Sequence, residues 1–267
     1  MRRLIREWQT LGGAGFAAAR KRKAANKIKA RYHQLVRTPV IPSRYGVNMV
    51  ANWPDTTFRF CIDAAYGFEL HDLLMVQQAP FIFLDIGANQ GLYSLIAGKN
   101  KACMAGVAFE PMPQTFELLQ SNLAANRFDN ITAVNAAISD NTGTATLSIN
   151  PKHTGGASLH QSGNKNTTQL NIETIDHQRV NELVPPTHPI VAKVDVEGHE
   201  QTVFEQLAQC DFADRLSLIH YEVDEKWLDP KALQNTLENI GFRHFQRIDS
   251  QRTHHYDIVA SREQVAG

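Results

Sequence analysis

The chain has 267 residues, with 27 Lys plus Arg against 27 Asp plus Glu, a formal charge of zero and a pI of about 7.2. That balance excludes a uniformly basic nucleic-acid binder, and 43% apolar with 20% charged residues excludes a wholly disordered chain. The zero is a cancellation, because residues 1–37 hold 11 basic residues and one acid, Glu7, leaving 16 basic and 26 acidic residues after them. Such an arm is either a solvated helix face or a segment lying on an anionic surface. At an anionic membrane a polybasic segment gains on the order of 1 kcal/mol per charge. Co-sedimentation with anionic liposomes, with and without residues 1–37, checks the membrane reading, and equal binding rules it out.

Cys61, Cys103 and Cys210 form no C-x-x-C pair, so neither a zinc ribbon nor a disulfide framework is expected. No apolar run reaches the roughly 18–20 residues that span a bilayer. Residues 11–19 are broken by glycines and followed by Arg20 to Lys23, unlike a signal peptide. The expectation is a cytoplasmic protein, membrane-peripheral at most, with no nucleic-acid partner.

In chain order, residues 1–37 read as a basic helical extension, with Ile28, Tyr32, Leu35 and Val36 at helical spacing and Pro39 and Pro42 beyond its end. Residues 38–80 read as an entry segment packing on the main domain. There the alternation of Phe58, Phe60 and Ile62 predicts a strand, and 68–78 an amphipathic helix stopped by Pro80. From Phe81 onward, apolar runs at 81–86, 103–109, 131–135, 190–194 and 216–221 alternate with helical patterns from 92 and at 114–126, 200–209 and 230–240. That rhythm predicts an α/β domain over 81–267, doubly wound on a mostly parallel sheet. A strand pair at 144–149 and 169–173 interrupts it, and strands at 242–248 and 255–260 finish it, with an antiparallel closing strand. Residues 150–168, rich in Gly, Ser, Asn and Thr, read as a lid or a long connection.

The run 81–86 leads into Gly87-Ala88-Asn89-Gln90-Gly91, with Tyr93-Ser94 opening the next helix. In a doubly wound sheet, ligands bind where strand ends meet such loops. A dinucleotide site carries three glycines as G-x-G-x-x-G, whereas this loop is G-x-x-x-G with Asp85 two residues before it. A carboxylate there repels a pyrophosphate and attracts a cationic ligand such as S-adenosylmethionine. Glu110, at the end of the next run, stands 25 residues after Asp85, close to the roughly 20-residue step at which an acid accepts from ribose hydroxyls. The bland alternative makes both acids helix caps.

Several motifs in order resemble the FkbM-type methyltransferases, a class I S-adenosylmethionine-dependent family. They are Asp-Ile-Gly-Ala-Asn-Gln-Gly at 85–91 with Ser94, Phe-Glu-Pro at 109–111, Asn122 and Asn126, Val-Asn-Ala-Ala-Ile-Ser-Asp at 134–140 with Gly143, and Lys-Val-Asp-Val-Glu-Gly-His-Glu at 193–200. The resemblance covers roughly 81–245. It implies a class I, Rossmann-like fold in which Asp85, Gly87, Asn89 and Gly91 surround the methionine end of the cofactor, with Ser94 a further cofactor-binding residue. It further implies that Glu110 holds the ribose and that the strand end near Ala136 and Ala137 lies by the adenine.

The second cluster is Asp195, Glu197, His199 and Glu200 after the strand at 190–194. Methyl transfer from a sulfonium needs an aligned nucleophile and, for a hydroxyl, a proton acceptor. His199 is the natural base by its ordinary pKa of about 6.5, with Asp195 or Glu197 orienting it or holding the acceptor. The structural alternative makes Asp195 an N-cap, Glu197 and Glu200 first-turn acids, and Lys193 their buried partner. A divalent ion on Asp195, Glu197 and His199 with His220 or Glu222 is a further option, although no spacing matches a metal motif. His153 and His160, with Gly155 to Ser158, sit in the polar loop and would close over a substrate if it is a lid.

The sequence therefore predicts an S-adenosylmethionine-dependent O-methyltransferase acting on a hydroxyl of a sugar, glycan, lipid-linked intermediate or secondary metabolite. The rivals are a nicotinamide-dependent oxidoreductase and a non-catalytic protein that binds membranes or partners through residues 1–37.

Overall fold

A computed structural model of the chain describes residue 21 and residues 39–64, 67–149, 168–248 and 254–264. Two compact units divide it, Met1–Ile41 and Pro42–Gly267. The helical extension expected at 1–37 and the loop with His153 and His160 lie outside the described residues, apart from Lys21.

Before the main sheet come strands β1 (Val40–Pro42) and β2 (Asn48–Val50), then helices α1 (Thr56–Asp63) and α2 (Phe68–Met75). Helix α1 corrects the strand expected around Phe58. Asp55 caps it by accepting from the Phe58 N–H at 2.9 Å, and the buried side chains are Phe58, Cys61 and Ile62, a helical spacing. Phe60, on which the apparent alternation depended, is exposed.

The α/β alternation then runs as β3 (Phe81–Ile86), α3 (Leu92–Lys99), β4 (Cys103–Phe109), α4 (Pro113–Asn126), β5 (Ile131–Val134), β6 (Ala137–Ile138), β7 (Gly143–Ile149) and β8 (Thr168–Ile175). It continues with α5 (His177–Leu183), β9 (Ile190–Val194), α6 (Glu200–Gln209), β10 (Leu216–Asp224), α7 (Pro230–Asn239), β11 (His244–Ile248) and β12 (His255–Ser261). The seven-stranded sheet has the order β11-β12-β10-β9-β3-β4-β5. Neighbours from β10 to β5 are parallel, and β12 runs antiparallel between β10 and β11. A smaller sheet, β6-β8-β7, holds the expected extra hairpin.

Strand β3 is buried at every position because helices cover both faces, which is why it reads as an unbroken apolar run. One face carries the main core: Leu84, Val107, Ala192, Val194, Ile219 and Tyr221 pack with Val203, Phe204 and Leu207 of α6 and Leu233 and Leu237 of α7. By strand alternation the opposite face holds Phe83, Val191 and Leu218, then Asp85, Lys193 and His220 toward the carboxyl ends. The strand order reverses between β3 and β9, so the crevice for a ligand opens at those ends.

Candidate active site

The loop after β3 turns through three left-handed residues, Gly87 (φ 77°), Asn89 (φ 51°) and Gly91 (φ 87°). A Cβ on Gly87 would stand 1.9 Å from the Asp195 carbonyl oxygen, and one on Gly91 would stand 2.4 Å from Leu119 Cδ1. Glycine is therefore required by both backbone angle and space. Asp85 is fully buried beneath the loop, its Oδ2 accepting from Ser94 N–H at 3.0 Å and Ser94 Oγ at 2.6 Å. Its Oδ1 has no hydrogen-bond partner and lies 3.6 Å from Lys193 Nζ. The buried Ser94 fixes that acid through both its N–H and its hydroxyl.

Glu110 is 6% exposed; Asn89 N–H donates to Oε2 at 2.8 Å and Met112 N–H to Oε1 at 2.9 Å. Burial pushes its carboxyl up to about 7, against the pull of those two N–H groups and of Lys193. Each oxygen keeps a lone pair for a further donor. Asn135, named in the sequence only as part of the 134–140 motif and given no role, braces this corner by donating to the Glu110 and Pro111 carbonyls at 2.8 and 3.1 Å. Ala137 opens β6 and packs with Met112, Leu147 and Ile172.

Across the switch point, β9 delivers Lys193 and the turn Asp195-Val196-Glu197-Gly198-His199. Glu197 (φ 55°) and Gly198 (φ 102°) are both left-handed. A non-glycine residue held there costs on the order of 1–3 kcal/mol and aims its side chain where a regular turn would not. Residue Asp195 does not cap α6. His199 occupies the cap position without a side-chain capping bond, and Glu200 braces the turn before the helix by accepting from Val196 N–H at 2.9 Å and Gly198 N–H at 3.0 Å. The ring of His199 places Nε2 3.3 Å from Ser139 Oγ.

Among the described residues, Asp195, Glu197 and Glu222 each bring a carboxylate oxygen within 4.8 Å of the others, a set compact enough for a divalent ion. His199 is not one of them. Glu222 hydrogen-bonds His255 and pairs in register with Asp257 on β12. Burial, then the Asp195, Glu222 and Glu200 charges, pushes Glu197 up to about 8. Burial, Asp195 and Asp257 push Glu222 up to about 9. Burial followed by Lys193 pushes His220 down to about 4, so it is neutral near pH 7. Asp257 was invisible in the sequence because only the β10–β12 register brings it here. Glu222 had a signal, standing two residues from His220 on one strand.

Six strands running the same way, with antiparallel β12 set between the last two, β10 and β11, and a glycine loop and an acid at the switch point, define the class I methyltransferase fold. A family model described as the methyltransferase FkbM domain matches residues 85–244, and the chain belongs to that family. A curated relative, "Methyltransferase sdnD" of Sordaria araneosa, is 33% identical over 90 residues, which is 33% of this chain and 34% of that protein. Among solved structures, a methyltransferase FkbM from Methylobacillus flagellatus is 14% identical with a TM-score of 0.49, covering 68% of this chain and 43% of that one. The M. jannaschii TYW2 structure in complex with AdoMet is 13% identical with a TM-score of 0.39, covering 82% of both chains.

Proposed function

We propose that the chain transfers the methyl group of S-adenosylmethionine to a hydroxyl oxygen of a sugar, glycan, lipid-linked intermediate or secondary metabolite. The observation that carries the cofactor is Glu110, a buried acid whose two oxygens, anchored by backbone N–H groups, retain lone pairs beside the glycine loop. That arrangement fits a ribose diol, with the backbone of residues 87–91 against the amino-acid end and Ala137 by the base. Bound there, the cofactor supplies an electrophilic methyl group on a sulfonium that departs as a neutral thioether.

The chain's residues hold the acceptor and take its proton. Asp195, half exposed beside the loop, is placed to accept the hydroxyl hydrogen. Glu197, with a pKa of about 8, is a stronger base than an ordinary carboxylate once ionised. His199, turned toward Ser139, stands at the side of the crevice as a further acceptor contact. Asp85 and Asp195 share the single ammonium of Lys193, which leaves this corner net negative and favours a cationic ligand over a pyrophosphate, weighing against the oxidoreductase reading.

Calorimetry with S-adenosylhomocysteine and with NAD tests the cofactor. Binding of the first without the second is expected, and the reverse overturns the proposal. Labelled methyl transfer into cell-extract fractions, with and without EDTA, identifies the acceptor class and reads any metal requirement. With the labelled fraction in hand, Glu197→Gln should lower the rate by about 10²-fold and abolish a rise in rate centred near pH 8; an unchanged profile removes Glu197 as the base.

A further inference from the structure

Lys193 is the buried cation between the two halves of the site. It is 4% exposed, its Nζ donates to the Gly87 carbonyl at 2.6 Å, and it lies 3.6 Å from Asp85 Oδ1 and 3.4 Å from Asp195 Oδ2. An ammonium has three hydrogens and no acceptor. Here those hydrogens face one loop carbonyl, one fully buried carboxylate and one half-exposed carboxylate on the acceptor side. The two halves also touch directly, since Asp195 N–H donates to the Ile86 carbonyl at 3.1 Å.

We propose that Lys193 is a positioning residue that couples the acceptor-side carboxylate Asp195 to the conformation of the cofactor loop at Gly87. The inference rests on the cofactor reading above. Its physical basis is competition for one ammonium. When Asp195 loses its charge by substitution, or turns to accept from an acceptor hydroxyl, Lys193 turns more fully to Asp85 and Gly87, and the loop carbonyl that lines the cofactor crevice is held differently. Burial opposes the charge on Lys193, but Asp195 and Asp85 outweigh it and raise its pKa, so the ammonium persists through the working range.

The test is a double-mutant cycle on S-adenosylhomocysteine affinity, with Asp195→Asn measured in the wild type and in Lys193→Met. Any direct effect of the Asp195 charge on the ligand persists in both backgrounds. The proposal expects the change in Kd caused by Asp195→Asn to differ between backgrounds by at least about fivefold. Additivity within about twofold overturns it. Because Lys193→Met strands the buried Asp85, a second measurement uses only the folded wild type and Asp195→Asn. The Lys193 15Nζ resonance should shift on adding S-adenosylhomocysteine and on Asp195→Asn, and constancy in either case overturns the coupling. If the wild type does not bind S-adenosylhomocysteine, the cofactor reading falls and the coupling with it. If it binds with additive changes, only the coupling falls.

Discussion

Glu110 shows how one side chain ties protonation to binding. Its folded pKa near 7 lies above the ordinary 4.5 because the carboxylate is buried. A ribose diol donates to the ionised form, so S-adenosylhomocysteine affinity should be flat above about pH 7.5 and fall toward tenfold per unit below about 6.5. Glu110→Gln should bind more weakly and lose that pH dependence. Calorimetry across pH checks both, and the same slope in the variant would show that another group titrates. That Asp85, Gly87, Gly91 and Glu110 come together at one sheet edge was legible in the sequence, because they lie at strand ends in a fixed order. What Asp85 does was not legible. Its burial, its bonds to Ser94 and its pairing with Lys193 depend on packing across 108 residues of chain.

At the level of elements, α4 stitches the site together through Asn122. That fully buried amide donates to the Gln90 carbonyl at 2.7 Å, and its oxygen accepts from Val50 N–H at 2.6 Å, joining the loop to β2. Asn122→Ala leaves two backbone groups without partners and should cost about 1–3 kcal/mol in urea unfolding. It should also weaken S-adenosylhomocysteine binding by loosening the loop, and a stability loss with unchanged affinity would confine Asn122 to the fold. The strands of the main sheet were legible because burial on both faces gives continuous apolar runs. Helix α1 was misread because Phe58, Phe60 and Ile62 happen to alternate, and the deciding signal was the capping Asp55. Helix α5 passed unread because it buries only Val180 and so has no apolar stripe.

Over the whole molecule, ionisable groups gather on one face of the sheet. Glu197, Glu222 and Asp257, at about 8, 9 and 6, bind protons more tightly folded than unfolded. The stability they contribute is full below about pH 4 and is lost as pH rises through those values. His220, depressed to about 4, acts oppositely, its contribution being full above about 6.5 and lost on acidification toward 4. Thermal melts should therefore show Tm falling between about pH 7 and 9.5. Glu222→Gln should flatten the fall, and equal slopes in the two proteins would exclude Glu222 as its source.

The alternation along β9 has a consequence for how this chain avoids misfolding. Val194 points into the apolar core while its neighbours Lys193 and Asp195 point to the charged crevice. A one-residue slip would drive an ammonium and a carboxylate into hydrocarbon and put a valine among acids. The same side chains that hold the ligand site thus act as a lock on strand alignment. Substitutions that make the crevice apolar should relax that lock, so that errors in pairing β9 with β3 and β10 accompany loss of activity.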